Sequence, residues 1–487
     1  MQPGEQLIKE RIKKLNELIK LKINPYPYKF DVKNFSTEIL GKYKKLKKNQ
    51  KSNNKVSLAG RIITLRSMGK IAFGHLQDYK GKIQFYLSQA NLGNNYKITK
   101  LLDLGDIIGI NGNVFRTKAG EITILVKKFE LLTKSLRPLP DKWHGLKDVE
   151  ERYRKRYVDL IVNPEVKQIF IKKFKIINSI RETLNKHNYV EVDTPILQPI
   201  YGGAYAKPFK SYVNDLKREM FLRISDELYL KRLIIGGFDK VYEISKDFRN
   251  ESIDSKHNPE FTMIEFYQAY ADYDDMMKLT QEIIINANKI IGNKNNVEFF
   301  GHKINLKTPW KIIAFKDAIK KYSKIDVDKL NDKELFMLKD KYKLELKGSL
   351  TRGWVMQALF EKFVEDKLIQ PVFIIEHPRE TTPLCKGSRK YPNLIERFEL
   401  FIGGFELSNG YSELNNPIIQ RKLLEEQAKE LRAGFEEANP MDEDFIKAIE
   451  QGMPPTGGVG IGIDRLIMVL TNSNSIKDVL LFPLMKN

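Results

Sequence analysis

Apolar residues first recur at Leu7, Ile8, Ile12, Leu15, Leu18, Ile19 and Leu21, among lysines and glutamates. That is close to the i, i+3, i+4 period of an amphipathic helix, so residues 5–22 are expected to be a basic helix. Two placements fit it: an arm that touches a polyanion, or a helix packed on the body, which its apolar face favours. Asn24-Pro25-Tyr26-Pro27-Tyr28 then forbids continuation, because proline lacks the amide proton a helix needs. From 55 to 132 the pattern becomes short runs of β-formers: 56–63, 71–76, 82–87, 106–115 and 121–126, separated by Gly- and Lys-containing turns. Arg137-Pro138-Leu139-Pro140 marks a break. Beyond it 166–187 reads as a long helix and Val190-Glu191-Val192 as a strand ending before Pro195. Strand and helix signals then intermingle to the end without a regular βαβ repeat.

The predicted fold is therefore α+β. Five strands with a longer, helix-compatible connection at 91–104 fit a small closed β-barrel of the OB-fold type. The expected division is a basic helical extension at 1–54, the barrel at 55–136, a linker at 137–165 and a second domain at 166–487. A chain of 487 residues is too long for one hydrophobic core, which agrees.

Charge adds a partner class. Lys and Arg number 83 against 62 Asp and Glu, a formal +21, which would attract a polyanion such as nucleic acid. Runs such as Lys44-Lys45-Leu46-Lys47-Lys48 could equally be solvated surface. The single cysteine, Cys385, excludes an internal disulfide and a cysteine metal cluster built from this chain, as suits a reducing cytoplasm. No run approaches the roughly 18 apolar residues of a membrane span, and residues from Glu5 onward lack the apolar core of a secretory signal. A cytoplasmic protein without a membrane partner is expected.

Three clusters carry candidate chemistry. In Gly457-Gly458-Val459-Gly460-Ile461-Gly462-Ile463-Asp464-Arg465 the glycines allow close approach of a flat ligand, and Arg465 can set a planar cation against a phosphate or base. A plain strand-to-helix packing turn explains this cluster equally well. In 241–251 a strand-like run ends in Arg249 and Glu251, two residues apart and so expected on one strand face. A returning strand follows His257-Asn258-Pro259 and should present Phe261, Met263, Glu265 and Tyr267 on one face. The competing reading is a surface hairpin with an Arg/Glu pair. The third cluster is 398–414: if Gly403-Gly404 makes a two-residue turn, Phe401 lies opposite Glu406, and Glu399 sits diagonally beside Glu406. Two carboxylates at one site repel unless a cation bridges them, and all-oxygen ligation points to Mg²⁺; a register slip would instead turn one to solvent.

Together the clusters resemble the three signature motifs of the class II aminoacyl-tRNA synthetases, in order: Val192-Asp193-Thr194-Pro195, then Phe248-Arg249-Asn250-Glu251 through Phe261, then Gly460-Ile461-Gly462-Ile463-Asp464-Arg465. The barrel narrows the resemblance to the lysine, aspartate and asparagine subgroup. Arg137-Pro138-Leu139-Pro140-Asp141-Lys142, Tyr201-Gly202-Gly203-Ala204, Glu227-Leu228-Tyr229-Leu230-Lys231, His257-Asn258-Pro259-Glu260-Phe261-Thr262 and Asn409-Gly410-Tyr411-Ser412-Glu413-Leu414-Asn415 are most similar to its lysine branch. The resemblance implies a largely antiparallel catalytic sheet flanked by helices, a homodimer with Pro195 at its interface, and ligation of L-lysine to tRNA(Lys) with ATP. By match, Arg249 and Arg465 are catalytic, and ATP is bound by Arg249, Glu251, His257, Asn258, Phe261, Glu399, Glu406 and Arg465. Glu399 and Glu406 are the implied Mg²⁺ ligands. Lysine would meet Gly203, Glu227, Arg249, Glu265, Tyr267, Asn409 and Glu413. Phe73, Gln84 and Glu121 are the implied anticodon contacts.

A buried ammonium needs anionic partners for its charge and three donors, so Glu265 and Glu413 argue for lysine over aspartate or asparagine. A non-catalytic RNA-binding relative is disfavoured because both motif arginines and both metal acids are present. A lysine-adenylating paralogue that modifies protein would usually lack the barrel. Three positions depart from the family pattern: Ser252 where glycine is usual, Phe405 where Arg or Lys is usual, and Ser225-Asp226 where small or proline residues are commoner.

Overall fold

In the computed structural model, which describes residues 3–140, 146 and 148–486, the chain forms two compact units, Met1–Lys147 and Asp148–Asn487. Residues 141–145 and 147 of the expected linker, and 1, 2 and 487 at the termini, lie outside the described residues.

The first unit is built on β1 (Lys51–Met68), β2 (Ile71–Gln77), β3 (Lys82–Ser88), β4 (Ile107–Arg116) and β5 (Ile122–Thr133), closed in the order β1-β2-β3-β5-β4. Alternation sets its inside: Ala72, Leu76, Phe85, Leu87, Ile110, Val114, Ile124 and Val126 are fully buried, while Phe73, His75, Gln84 and Tyr86 face outward and are half-buried. The expected extension at 1–54 is not separate from this barrel. Helix Pro3–Lys20 sends Leu18, and helix Ser36–Lys42 sends Ile39, into the barrel core. Arg11 also donates to the carbonyls of Leu104, Ser135 and Arg137. Packing on the body, rather than a free arm, is what the apolar face of this helix achieves, and the first strand begins at Lys51 rather than 55.

The second unit holds β6 (Val190–Glu191), β7 (Leu197–Gln198), β8 (Lys210–Val213), β9 (Arg218–Leu222), β10 (Lys240–Phe248), β11 (Glu260–Ala269), β12 (Asn296–Phe299), β13 (His302–Asn305), β14 (Lys311–Ala314), β15 (Val372–Pro378), β16 (Leu394–Ile402), β17 (Phe405–Ser412) and β18 (Thr456–Gly462). Eight of them make one sheet in the order β14-β15-β16-β17-β18-β11-β10-β6, antiparallel except for its outer pairs, β14 with β15 and β10 with β6. The helices Pro164–Lys186, Tyr273–Ile290 and Ile463–Thr471 cover one face, packing on Tyr242, Ile264, Phe266, Phe398, Leu400, Val459 and Ile461. Period-2 alternation sends Glu243, Asp247, Glu265, Tyr267, Glu399, Gly458 and Gly460 to the opposite, polar face.

The expected linker differs from what forms. Residues 149–154 and 156–162 are helices of the second unit, and the helix predicted at 166–187 begins at Pro164. Arg156 is fully buried, pairs with Asp159 at 2.7 Å and donates to the carbonyls of Lys477 and Leu480. Buried ion pairs let a run this rich in charge hold a packed helix, which its polarity hides in the sequence.

Candidate active site

A cavity of about 600 Å³ opens on the polar face of the large sheet. It gathers Gly203, Glu227, Arg249, Glu251, His257, Asn258, Phe261, Glu265, Tyr267, Glu399, Glu406, Asn409, Glu413 and Arg465, which the sequence scatters over more than half the chain.

Arg249 and Glu251 do not share a strand face, contrary to expectation. β10 ends at Phe248, because Arg249 N–H turns to the Pro259 carbonyl and Asn250 N–H to that of Lys207. Arg249 Nε donates to the Ile224 carbonyl at 3.3 Å, and its guanidinium lies 5.0 Å from the Phe261 ring centroid. Arg465, in the first turn of its helix, donates to the Glu406 carbonyl at 3.0 Å and to His257 Nε2 at 2.9 Å. Arginine can only donate, so His257 Nε2 is the acceptor and its proton sits on Nδ1, directed at Asp254 Oδ2 at 2.8 Å. Burial would raise the Asp254 carboxyl, but hydrogen bonds from His257 and from the backbone of Lys256 hold it below the usual range. Asp254 was not foreseen. Asp464 anchors this end by accepting Thr262 N–H and Lys173 Nζ, each at 2.7 Å.

The Gly403-Gly404 turn forms as expected, with Phe401 opposite Glu406. A bulge between Leu400 and Phe401 then places Asn409, not Ser408, opposite Glu399. Arg397, another unforeseen residue, is buried and binds Glu399, Asn409 and Thr381 together. Burial pushes Glu399 up to about 7 against the pull of Arg397, with Glu406 and Glu361 adding repulsion. Glu365, half-buried near Glu361, Glu399 and Glu406, is pushed up to about 8 by desolvation and by their repulsion.

Deeper in the cavity, Glu265 accepts the Ser225 hydroxyl at 2.8 Å, Asp226 N–H at 3.3 Å and the Tyr267 hydroxyl at 3.1 Å. Glu413 is fully buried and ion-paired with Lys231, which also binds Glu227 at 2.5 Å. Burial alone would lower the Lys231 pKa, yet the two carboxylates hold it above the usual lysine value. Gly458, Gly460 and Gly462 of the glycine cluster line the cavity. A Cβ on Gly458 would come within 2.2 Å of Glu413 and 2.4 Å of the Tyr267 ring, so the missing side chain makes room for those two groups. Gly203 takes φ +90°, and a Cβ there would meet Ser225 at 2.7 Å.

Two departures from the family pattern are accommodated. Ser252 is not among the positive-φ residues, so its Cβ imposes no strain. Phe405 is buried against Phe299 with ring centroids 5.2 Å apart, and Lys256 sets its ammonium 4.7 Å above the ring. A cation thus returns to the position from a neighbouring loop.

On the barrel, Phe73 and Tyr86 lie with ring centroids 4.7 Å apart. Beside them Gln84 donates to Glu121 at 2.6 Å, and His75 Nε2 meets Glu121 at 2.8 Å. The three sequence candidates therefore share one outward face, to which Tyr86 and His75 are additions.

Residues 148–486 match the tRNA synthetases class II (D, K and N), and 56–132 match the OB-fold nucleic acid binding domain. The chain belongs to the class II tRNA synthetases. Curated relatives run the full length: the lysine–tRNA ligase of Carboxydothermus hydrogenoformans is 50% identical over 485 residues, covering 99% of this chain and 98% of its own. That of Bacillus subtilis is 47% identical over 477 residues (97% and 96%), and that of Methanoculleus marisnigri 48% over 480 (98% and 94%). Within the class, the family of this chain is that of the lysine–tRNA ligases.

Proposed function

We propose that the chain activates L-lysine with ATP to lysyl-adenylate and pyrophosphate, then transfers the lysyl group to the 3′-terminal ribose of tRNA(Lys). One observation carries the reading: a single cavity joins an acid-lined pocket at Glu265, Tyr267 and Glu413 to an arginine-lined end at Arg249 and Arg465. The first suits an ammonium, the second a polyphosphate. A lysine carboxylate oxygen attacks the α-phosphorus and pyrophosphate leaves, a step that needs positioning and charge stabilisation rather than a protein nucleophile. Arg249 grips the α-phosphate and the lysine carboxylate. Glu251, His257 and Asn258 contact adenine and triphosphate, with His257 oriented by Asp254 at Nδ1 and by Arg465 at Nε2. Arg465 holds the γ-phosphate, and adenine stacks on the face of Phe261 not covered by Arg249. Gly203 and Glu227 meet the α-amino end of lysine, and Asn409 the substrate beside Arg397.

Glu399 and Glu406 would hold Mg²⁺. The donor set fits, since burial, with repulsion from Glu406 and Glu361 added, already raises Glu399 and a divalent ion relieves both, and its all-oxygen chemistry suits a hard cation. Such an ion supplies neutralisation of phosphate charge when bound. Charging bulk tRNA with each labelled amino acid in turn tests the reading: lysine alone is expected to be incorporated, and incorporation of aspartate or asparagine instead would overturn it.

Phe73, Gln84 and Glu121 read the anticodon, with Tyr86 extending the stacking surface. Phe73→Ala is expected to weaken tRNA charging by about 1–3 kcal/mol of lost stacking while leaving pyrophosphate exchange without tRNA nearly intact. Equal losses in both assays would make Phe73 a fold residue. The partner at Pro195 is a second copy of the chain: Ile196 and Leu197, which follow it in the sequence, are 48% and 37% exposed, apolar side chains that a homodimer interface would cover. No helix among the described residues is long and apolar enough to cross a membrane, and the cytoplasm is the proposed location.

A further inference from the structure

Behind Glu265 lie two more buried carboxylates, Asp226 and Asp247, with one oxygen of each of the three within 4.8 Å of the others. Asp226 stands at a position where the family pattern favours a small residue or proline. Both Asp226 oxygens and Asp247 Oδ2 are buried without a hydrogen-bond partner. Arg223 approaches Asp226 at 3.1 Å and Asp247 at 3.4 Å, but its shortest contact, 2.6 Å, goes to Glu243. The surrounding elements do not redress the balance. Glu227 and Lys231 face the cluster from the helix after Asp226, Glu243 from β10, Arg249 from the loop beyond it, Tyr267 from β11, and Glu413 from the end of β17. Among the described residues, Asp226, Glu227, Glu243, Asp247, Glu265 and Glu413 meet the cations Arg223, Lys231 and Arg249, with Arg397 also acting on Glu227. Ionised together, they leave an excess of buried negative charge that no geometry stabilises without a further cation or a proton.

A metal ion fits poorly, because both Glu265 oxygens already accept hydrogen bonds from Ser225, Asp226 N–H and Tyr267. A proton held between carboxylates turns an orphaned acceptor pair into a donor and an acceptor. We propose that Asp226, Asp247 and Glu265 form a proton-sharing cluster that holds a proton while the ammonium pocket is empty and releases it to solvent when the substrate ammonium binds at Glu265. Asp226 and Asp247 are positioning residues in this scheme, acting on substrate through Glu265. The inference rests on the reading of Glu265 as an ammonium ligand. Burial and mutual repulsion push Glu265 up to about 8 and Asp247 up to about 7, and Asp226 well above the ordinary carboxylate range, the direction a shared proton requires.

The sign follows from linkage. A proton that must leave before the ammonium binds weakens lysine affinity at low pH, and one linked proton corresponds to about tenfold tighter binding per pH unit below the cluster pKa. Calorimetric titration of L-lysine into the whole protein at pH 7.5, in phosphate, HEPES and Tris, reads the protons released from the dependence of heat on buffer ionisation enthalpy. The wild type is expected to release about 0.3 to 1 proton per lysine bound. Asp226→Asn, and independently Asp247→Asn, should at least halve that release and move the rise of affinity with pH to lower pH by about one unit. Heats independent of buffer in the wild type overturn the proposal, as does unchanged release in both folded variants. A stoichiometric divalent metal found in the purified protein and lost in Asp226→Asn overturns it in favour of a metal site. Glu265→Gln separates the two levels: if it weakens lysine binding while wild-type heats show no proton, the cluster fails and the pocket stands. If it binds lysine as the wild type does, the pocket reading fails with it.

Discussion

Arg249→Ala is expected to lower lysine-dependent pyrophosphate exchange by about 1,000-fold or more, since loss of one donor aimed at developing charge already costs about 10²–10³ in rate and this guanidinium serves two anions. The side chain is held for the task by Ile224, whose carbonyl accepts Nε at 3.3 Å, and by the Phe261 ring 5.0 Å away. Arg249→Lys should recover little, because an ammonium cannot reproduce the planar fork that meets phosphate and carboxylate together. If the loop after β10 were an ordinary surface hairpin, both substitutions would change stability by under about 1 kcal/mol and leave exchange intact. Exchange rates and thermal unfolding measured on the same preparations separate the two, and an active, merely destabilised Arg249→Ala protein would remove Arg249 from the mechanism.

The features legible in the sequence were those with a short period. Phe261, Met263, Glu265 and Tyr267 alternate, so a strand puts them on one face, and the Gly403-Gly404 turn pairs Phe401 with Glu406 whatever the rest of the fold does. What escaped depends on distant contacts. β10 stops at Phe248 because Pro259 and Lys207 offer carbonyls beyond it, which nothing in 241–251 announces. The bulge that sets Glu399 against Asn409 is a single-residue choice between registers of nearly equal apolar pattern. Arg397, Lys231 and Asp254 were assigned no role from the sequence, and each gains its place only by meeting residues that the fold brings alongside. The helices 149–154 and 156–162 were hidden for the same reason, their burial resting on ion pairs such as Arg156 with Asp159.

Those hidden partners divide the two acids of the ammonium pocket, which the sequence treats as equivalent. Glu413 already has a cation, Lys231, whereas Glu265 receives only neutral donors from Ser225, Asp226 and Tyr267. An incoming ammonium therefore gains most from Glu265. Glu265→Gln, which keeps shape and removes charge, should raise the KM for lysine by about 10-fold or more, as expected for a charged hydrogen bond of roughly 1.5–3 kcal/mol, with the KM for ATP changed far less. Glu413→Gln leaves Lys231 buried with Glu227 as its remaining carboxylate, so it should also weaken lysine use but lose more stability than Glu265→Gln, by about 1–3 kcal/mol. Lysine and ATP kinetics in the exchange assay, with unfolding of both variants in denaturant, test the ordering. A larger rise in lysine KM for Glu413→Gln with no loss of stability would make Glu413 the principal ammonium ligand and leave Lys231 without the structural role its two ion pairs assign to it.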